Sequence, residues 1–279
     1  MIYDTFLFYN ELELLEIRLA ELADVVDRFV LLEADRTFTN RPKPLFFREN
    51  RRRFAPFLDR IIHIEMRGYD DVDTGNPWAM ERYLRQRLVL GLAECRDDDA
   101  ILLSDADEIP RASVVAEQAH TPGIKSFVQQ ESYYFVNCLG SYIVGTTMFP
   151  GRFLRHVTRD LQYYRGIRRH MVSRGGWHFS YTGGVKAIQD KLAAFAHTEC
   201  NQPMFNDPEH LATCLAEARD LFFRIGCEYR VVPLDERFPR YLRENAARFA
   251  HLIKPVDSGV PQPSAAASAK AQPVVVSGV

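Results

Sequence analysis

The chain has 279 residues, with 35 basic and 37 acidic side chains and a formal net charge of −2. Hydrophobic residues make up 47% and charged residues 26%, as is typical of a soluble globular protein with one large or two small domains. The near balance of charge argues against nucleic acid as a partner, and no apolar run reaches the roughly 20 residues that span a bilayer.

Short apolar runs alternate with helical patterns over the first two-thirds of the chain. This alternation predicts an α/β fold whose mostly parallel central sheet is flanked by helices. The predicted strands are residues 5–10, 28–35, 60–66, 100–110 and 126–136, and the predicted helices in this part are residues 11–26 and 78–92. Pro77 suits the first turn of the second helix.

The last third is predicted to be mainly helical, after a glycine-rich turn region at residues 174–184. Its predicted helices are residues 185–197, 208–225 and 239–253. Residues 152–174 hold seven arginines and one aspartate, which either bind an anionic acceptor or pair with the acidic remainder. Residues 255–279 are rich in Pro, Ala and Ser, so we predict a folded domain over residues 1–254 and a disordered tail.

The five cysteines are odd in number and widely spaced, which indicates a reducing cytoplasm. Acidic residues near the start of the chain argue against a secretory signal. We therefore expect a cytoplasmic protein, and peripheral contact with the inner membrane stays open. A zinc site is the weaker reading of two His–Cys pairs, His197 with Cys200 and His210 with Cys214, because the close CxxC spacing of common zinc sites is absent.

The strongest motif is ILLSDADEIP, residues 101–110, in which an acidic cluster follows a buried strand. Ligands of open α/β sheets bind beyond the carboxyl ends of the strands. Neighbouring carboxylates there repel one another unless a cation lies among them. Asp105 and Asp107 point the same way in an extended segment, which predicts a Mg²⁺ or Mn²⁺ site that would bridge a phosphate ester. A solvated acidic turn explains the pattern equally well.

A second motif is GGWHFSYTGGVK, residues 175–186. Its glycines allow a ligand to approach the backbone, His178 is a candidate third ligand beside the two aspartates, and Lys186 is a candidate phosphate contact at a helix start. The alternative is a hairpin or loop whose aromatic residues pack in the core. The chain lacks GxGxxG after its first strand, a P-loop lysine and GxSxG, which argues against enzymes that carry these motifs.

Taken together, several long segments resemble glycosyltransferase family 17. They are MIYDTFLFYNELELLEIRLAEL, RFVLLEAD, NPWAMERYLRQRL, ILLSDADEIPR, RGGWHFSYTGGVKAI, KLAAFAHTE, DLFFR and YLRENAARFAHLIK. They are spread over residues 1 to about 254, so the resemblance covers nearly the whole predicted domain.

The resemblance implies a GT-A-type fold, a DxD metal motif and a divalent cation, usually Mn²⁺. It also implies inverting transfer of N-acetylglucosamine from its UDP donor, which the related enzymes add to the mannose core of an N-glycan. Asp105 and Asp107 match the DxD positions. Animal members carry an N-terminal membrane anchor and this chain starts at its first strand, so we expect a bacterial-type enzyme that acts on a glycan or glycolipid acceptor.

The remaining site predictions rest on the same resemblance. Glu33 ends the second strand, where such enzymes commonly contact the nucleoside, and Gln86 and Arg87 precede the DxD strand and are candidate donor contacts. Direct displacement at the anomeric carbon needs a base for the acceptor hydroxyl. Glu199 is the preferred base; its competitors are Asp190, Asp220 and Glu131.

Two other classes of function remain open at this point. A nucleotidyl- or phosphotransferase would share the acids at a strand end, but it should also carry a phosphate loop near the first strand. A non-catalytic protein that binds a nucleotide sugar or a glycan would keep the same motifs without turnover.

Overall fold

The computed structural model describes residues 1–156 and 160–256. Within them lies one nine-stranded sheet, whose main path runs β3-β2-β1-β4-β7-β6-β8-β5, with β9 beside β7. The strands are β1 (Ile2–Phe8), β2 (Arg28–Ala34), β3 (Ile61–Met66), β4 (Ala100–Asp105), β5 (Glu108–Pro110), β6 (Lys125–Tyr133), β7 (Cys138–Pro150), β8 (Met171–Ser180) and β9 (Arg230–Val231).

Strands β3, β2, β1 and β4 are parallel, as predicted. Their residues alternate between two cores, because successive side chains of a strand point to opposite faces. Phe6 packs in the core beneath the first helix, whereas Tyr3 packs in the core of the opposite face. The carboxyl ends of these strands meet at one edge, where Leu7 is in register with Asp105 and Phe8 with Glu33.

The prediction of a mostly parallel sheet is wrong for the second half. Strand β7 is antiparallel to β4, β6 and β9, and β5 is antiparallel to β8. The predicted glycine-rich turn region is largely the C-terminal part of β8, which pairs parallel to β6. Its glycines serve close strand packing: Gly176 has φ +139°, and a Cβ there would lie 2.1 Å from the Ile109 carbonyl oxygen. Sheet and helices together form a mixed α/β fold.

The helices cover both faces of the sheet and are mostly short. They are α1 (Leu12–Leu22), α2 (Phe46–Glu49), α3 (Pro77–Arg87), α4 (Ala112–Gln118), α5 (Arg152–His156), α6 (Leu161–Gly166), α7 (Gly184–Ala194), α8 (Pro203–Asn206), α9 (Pro208–Glu217) and α10 (Arg240–Glu244). Single 3-10 segments occur at Arg51–Phe57, Leu88–Leu92, Thr198–Cys200 and Ala250–Leu252.

Local signals set the helix ends where they are strong. The Asn76 side chain caps α3 by accepting hydrogen bonds from two backbone N–H groups, and Pro77 is the first helical residue, as predicted. The helices predicted at residues 208–225 and 239–253 are both longer than the helices in the structure, α9 and α10. Helix α9 ends at Glu217 because Ala218 adopts a left-handed conformation with φ 54°.

Every helix within residues 1–156 and 160–256 is too short or too polar to cross a membrane. The predicted disordered tail from residue 255 lies, apart from its first two residues, outside the part of the chain that the structure describes.

Candidate active site

A cavity of about 380 Å³ opens at the carboxyl ends of β1, β2 and β4. Leu7, Leu32 and Ala34 contribute an apolar side, and Trp78 lies at the wall, 45% exposed. The charged residues of the wall are Glu11, Glu81, Asp105 and Asp107 on the acidic side and Arg36, Lys43, Arg85 and Lys191 on the basic side. The volume and the mixed lining suit a small polar ligand with an apolar part.

Asp105 ends β4 and faces the cavity with its side chain 43% exposed. Arg85 of α3 donates to Oδ1 at 2.9 Å, and Arg165 of α6 donates to Oδ2 at 3.3 Å. Burial alone would raise the pKa of Asp105, but the charges of Arg85 and Arg165 outweigh it and hold the pKa well below its usual range. Asp105 is therefore a carboxylate at any ordinary pH.

Asp107 lies two residues after the end of β4, and its side chain is 8% exposed. Its Oδ2 lies 2.6 Å from the Lys191 ammonium of α7 and 3.5 Å from Nε2 of His178 on β8. Burial opposes ionisation, but Lys191 and His178 lower the pKa of Asp107 well below its usual range. The same pairing raises the pKa of Lys191, against the effect of its burial. The pair is therefore an ammonium and a carboxylate at neutral pH.

The turn between the two aspartates is held from below by Arg18 of α1. Arg18 is fully buried, and it donates to both carboxylate oxygens of Asp4 at 2.7 and 2.6 Å. It also donates to the main-chain carbonyls of Asp105 and Glu108 at 2.9 and 2.7 Å. One guanidinium thus fixes the backbone that carries the acids.

Behind the turn, His178 is enclosed by carboxylates. Its Nδ1 is buried without a hydrogen-bond partner and lies 4.0 Å from Oε1 of Glu131. Burial raises the pKa of Glu131 and of Glu108, although Arg165 contacts Glu108 and partly offsets the effect there. The neighbouring carboxylates raise the pKa of His178 despite its burial. The imidazole thus lies between two carboxylates, with Nε2 towards Asp107 and Nδ1 towards Glu131.

The donor chemistry of Asp105, Asp107 and His178 fits a divalent cation such as Mn²⁺ or Mg²⁺. Within the described ranges, no group of three His, Cys, Asp or Glu side chains is placed to hold a metal ion, and this includes Asp105, Asp107 and His178 as well as the two His–Cys pairs. Such cations are commonly held by one or two carboxylates together with phosphate oxygens of a substrate. Asp105 and Asp107 both line the cavity, and their carboxylates are the oxygen donors that this arrangement uses.

The structure places three other predicted residues in structural contacts outside the cavity wall. Glu33 is fully buried and accepts hydrogen bonds from the backbone N–H groups of Phe47 and Arg48, both at 2.9 Å. Gln86 accepts a hydrogen bond from the Leu161 N–H, and Arg87 donates to the Tyr83 hydroxyl. Their donor contacts stay predictions.

Lys186 and Glu199 are also outside the wall. Lys186 is 80% exposed and forms an ion pair with Asp190 one turn along α7. Glu199 is half exposed and bonds to Nδ1 of His197 at 2.6 Å, which lowers the pKa of Glu199. His197 itself lines the cavity and packs edge-on against Trp78. The role of Glu199 as a base stays a prediction.

Most charged residues of the site could not be identified from the sequence, among them Glu11, Arg85, Arg165 and Lys191. Glu11 lies three residues after the end of β1, so the strand-end rule that indicates Asp105 applies to it as well. Burial raises the pKa of Glu11, and Lys191 lowers it in part. Arg165 comes from the arginine-rich segment, where Arg152 and Arg155 also pair with aspartates. Of the two predicted fates, acid pairing is the one these three residues show.

Comparison with known sequences gives a family match over most of the chain. The profile described as glycosyltransferase family 17 matches residues 1–255. The human protein "Beta-1,4-mannosyl-glycoprotein 4-beta-N-acetylglucosaminyltransferase" is 35% identical over 107 residues, or 36% of this chain and 20% of the relative. The mouse protein of the same name is 34% identical over a stretch of the same length. The aligned stretch thus spans about a fifth of these relatives.

Solved structures are only distantly similar. The inositol-1-phosphate CTP transferase from T. maritima has a TM-score of 0.36 and 13% identity, over 61% of this chain and 84% of the other. A putative glucose-1-phosphate thymidylyltransferase from Bacillus anthracis has a TM-score of 0.34 and 10% identity, over 63% and 88%. Neither likeness assigns a fold or a function.

Proposed function

The chain belongs to glycosyltransferase family 17 and is a glycosyltransferase, and we propose that it transfers N-acetylglucosamine from UDP-N-acetylglucosamine. The acceptor is the hydroxyl of a glycan or glycolipid, and the transfer inverts the anomeric centre. Metal dependence, the donor and the GT-A-type fold are parts of this proposal. The named relatives, which match over part of the chain, support the sugar.

One observation carries the proposal. Asp105, Asp107 and His178 come from two segments that are far apart in sequence, and they meet at one cavity. The cavity combines these acids with four basic side chains and with an apolar side. A nucleoside diphosphate sugar has the matching parts, since it joins a planar base, two phosphates and a sugar.

The parallel half of the sheet supports a GT-A-type arrangement. The acid pair follows β4, which pairs with β1 next to β2, and the cavity lies beyond the carboxyl ends of all three strands. This is the edge at which open α/β sheets bind their ligands. The other half of the sheet supplies His178, which lies on β8 between Glu108 of β5 and Glu131 of β6.

We assign the roles in the transfer as follows. A divalent cation held by Asp105 and Asp107, when bound, would neutralise the leaving diphosphate. Arg85 and Arg165 fix the Asp105 carboxylate in position, and Arg18 fixes the backbone of the turn. His178 contacts Asp107 through Nε2 and helps to position its carboxylate.

The acceptor hydroxyl loses its proton to a carboxylate of the chain. Glu199 is the base predicted from sequence. Glu11 is a second candidate, because its carboxylate lines the cavity and one oxygen accepts hydrogen bonds from the backbone N–H groups of Tyr9 and Asn10. Separate Glu199→Gln and Glu11→Gln variants distinguish the two: loss of the acidic limb of the pH–rate profile, where the base of the wild type becomes protonated, marks the base.

The test measures UDP release and sugar transfer from a panel of nucleotide sugars, with and without Mn²⁺, onto N-glycan and lipid-linked acceptors. We expect turnover of UDP-N-acetylglucosamine that requires Mn²⁺ and falls by about 10²–10³-fold in Asp107→Asn. Asp98→Asn is the matched control, because Asp98 is 96% exposed and pairs with Arg152 away from the cavity.

Other outcomes would replace the proposal in defined ways. Turnover of a different nucleotide sugar would change the donor and keep the reaction class. Release of pyrophosphate from a nucleoside triphosphate would indicate a nucleotidyltransferase. Tight binding of a nucleotide sugar, without hydrolysis or transfer onto any acceptor, would indicate a non-catalytic binding protein.

A further inference from the structure

The ion pair between Lys191 and Asp107 occupies an oxygen that the proposed function needs. Lys191 Nζ lies 2.6 Å from Oδ2 of Asp107, the carboxylate assigned to the cation. An ammonium and a divalent cation compete for one oxygen, since both are positive and both require close contact. The pair is therefore a stable arrangement only while the cation is absent from that oxygen.

Lys191 is built to leave the pair without disturbing the fold. Its side chain is 26% exposed and lines the cavity, so its ammonium borders open space. Its helix is anchored by the neighbouring Leu192 and by Ile188, which are fully buried. The ammonium lies 5.2 Å from the centre of the Tyr181 ring. A lysine on a flexible stem can turn about such a contact, whereas the planar Arg85 is fixed by two carboxylates.

The charges around Lys191 specify where it goes next. Asp107 and Glu11 are the acids that act on it most strongly, and both face the same cavity. When a cation binds Asp107, Glu11 still attracts the ammonium and keeps it in the cavity. The ammonium has then lost its ion-pair partner and can contact a new anion. The phosphates of a nucleotide donor are the anions that arrive with the cation.

We propose that Lys191 exchanges partners during donor binding: it neutralises Asp107 in the free protein and contacts the diphosphate of the donor in the complex. The inference rests on the proposed function for the identity of the donor. It replaces Lys186, the lysine that the sequence predicted for the phosphate, with a lysine five residues further along the same helix. Lys186 instead faces solvent beside Asp190.

The exchange predicts opposite effects of one substitution on two ligands. In Lys191→Gln, Mn²⁺ alone should bind about 3- to 10-fold more tightly than in the wild type, because its competitor is gone. UDP at saturating Mn²⁺ should bind at least about 10-fold more weakly, because its phosphate contact is gone. Uridine, which has no phosphate, should bind with unchanged affinity. Isothermal titration calorimetry measures all three affinities without turnover.

Three further variants keep the test decisive. Lys191→Arg retains the charge and should keep Mn²⁺ affinity close to wild type. Arg240→Gln removes a charge from an exposed pair far along the chain and should change neither ligand. Lys186→Gln repeats the test on the lysine predicted from sequence, and thermal melting of each variant shows that it is folded.

Two results would overturn the proposal. One is an unchanged or weaker Mn²⁺ affinity in Lys191→Gln, which would mean that the ammonium does not compete with the cation. The other is a loss of UDP affinity in Lys186→Gln but not in Lys191→Gln. Failure of the wild type to bind UDP would contradict the proposed donor instead. The Mn²⁺ measurement would still decide whether Lys191 competes with the metal ion for Asp107.

Discussion

Two groups of ion pairs lie on opposite sides of the same acidic turn. Below the turn, Arg18 and Asp4 are both fully buried, and the guanidinium donates to side-chain and main-chain oxygens. Above it, Lys191 pairs with Asp107 at the wall of a cavity, and Asp105 is 43% exposed. The side chains of the lower pair are fully buried and hydrogen-bonded, whereas the upper group borders a cavity that a ligand can enter.

The difference separates charges that hold a fold from charges that serve a ligand. A buried pair that loses one partner leaves an unpaired charge without water, which costs several kcal/mol. A pair at a cavity can exchange its partner for solvent or for a ligand at much lower cost. We therefore expect substitutions below the turn to change stability and substitutions above it to change binding and rate.

The largest stability effect should come from Arg18→Met. Removal of the guanidinium leaves Asp4 buried and unpaired and frees the carbonyls of the turn, so the free energy of unfolding should fall by about 3–5 kcal/mol. Urea denaturation at pH 7 measures it. If Arg18→Met cost less than about 1 kcal/mol, the lower group would not be the support that its burial indicates.

A double variant sharpens this result. In Asp4→Asn/Arg18→Met the buried charge is gone, so part of the loss should return relative to Arg18→Met alone. A double variant that is as unstable as the sum of its two single variants would assign the loss to the carbonyls of the turn rather than to Asp4.

The opposite balance is expected for Asp107→Asn. Stability at pH 7 should fall by no more than about 2 kcal/mol, because the freed Lys191 borders the cavity and can be hydrated. The rate of sugar transfer should fall by about 10²–10³-fold.

The stability difference between Asp107→Asn and the wild type should depend on pH. Because the folded pKa of Asp107 is depressed, its contribution to stability is present above the unfolded value near 3.9 and is lost as pH falls further. The variant should therefore approach the wild type in stability below about pH 4.

The contribution of Glu11 to stability should change with pH in the opposite direction. Burial raises its folded pKa above the unfolded value, so its favourable contribution is present at low pH and is lost as pH rises through the folded pKa. Glu11→Gln should be more stable than the wild type at pH 7 and no more stable at about pH 4. Denaturation midpoints between these values measure it. A variant that is less stable at pH 7 would show that Lys191 compensates Glu11 fully.

Much of the parallel half and of the acid pair could be predicted from sequence, because both depend on local patterns. The run that ends in Asp105 and Asp107 is a buried strand followed by acids, and the helix from Leu12 repeats its apolar residues at helical spacing. Strand β8 was missed because its glycines are typical of turns. It is extended only because β5 and β6 pair with it from distant parts of the chain.

The basic side chains of the site could not be predicted either, because their position also depends on contacts between distant parts of the chain. Lys191 is 84 residues from Asp107, and nothing local in its helix distinguishes it from Lys186. The exposure of Lys186 follows from how α7 packs, which places Ile188 and Leu192 inside and Lys186 outside. The two acids could thus be predicted from their position at a strand end, whereas only the packing of α7 shows which lysine faces the cavity.

The smallest effect is expected where the two lysines of α7 are compared for stability. Lys186 and Asp190 form an exposed pair one turn apart, and such pairs contribute about 0.3–0.5 kcal/mol. Lys186→Ala should therefore change the free energy of unfolding by less than about 0.5 kcal/mol, and 1 M salt should remove most of the change. Lys191→Ala should cost more and respond less to salt, because Asp107 is only 8% exposed. Equal losses of unfolding free energy with equal salt dependence would contradict this difference between the two lysines. They would mean that solvent in the cavity screens Lys191 as strongly as bulk water screens Lys186.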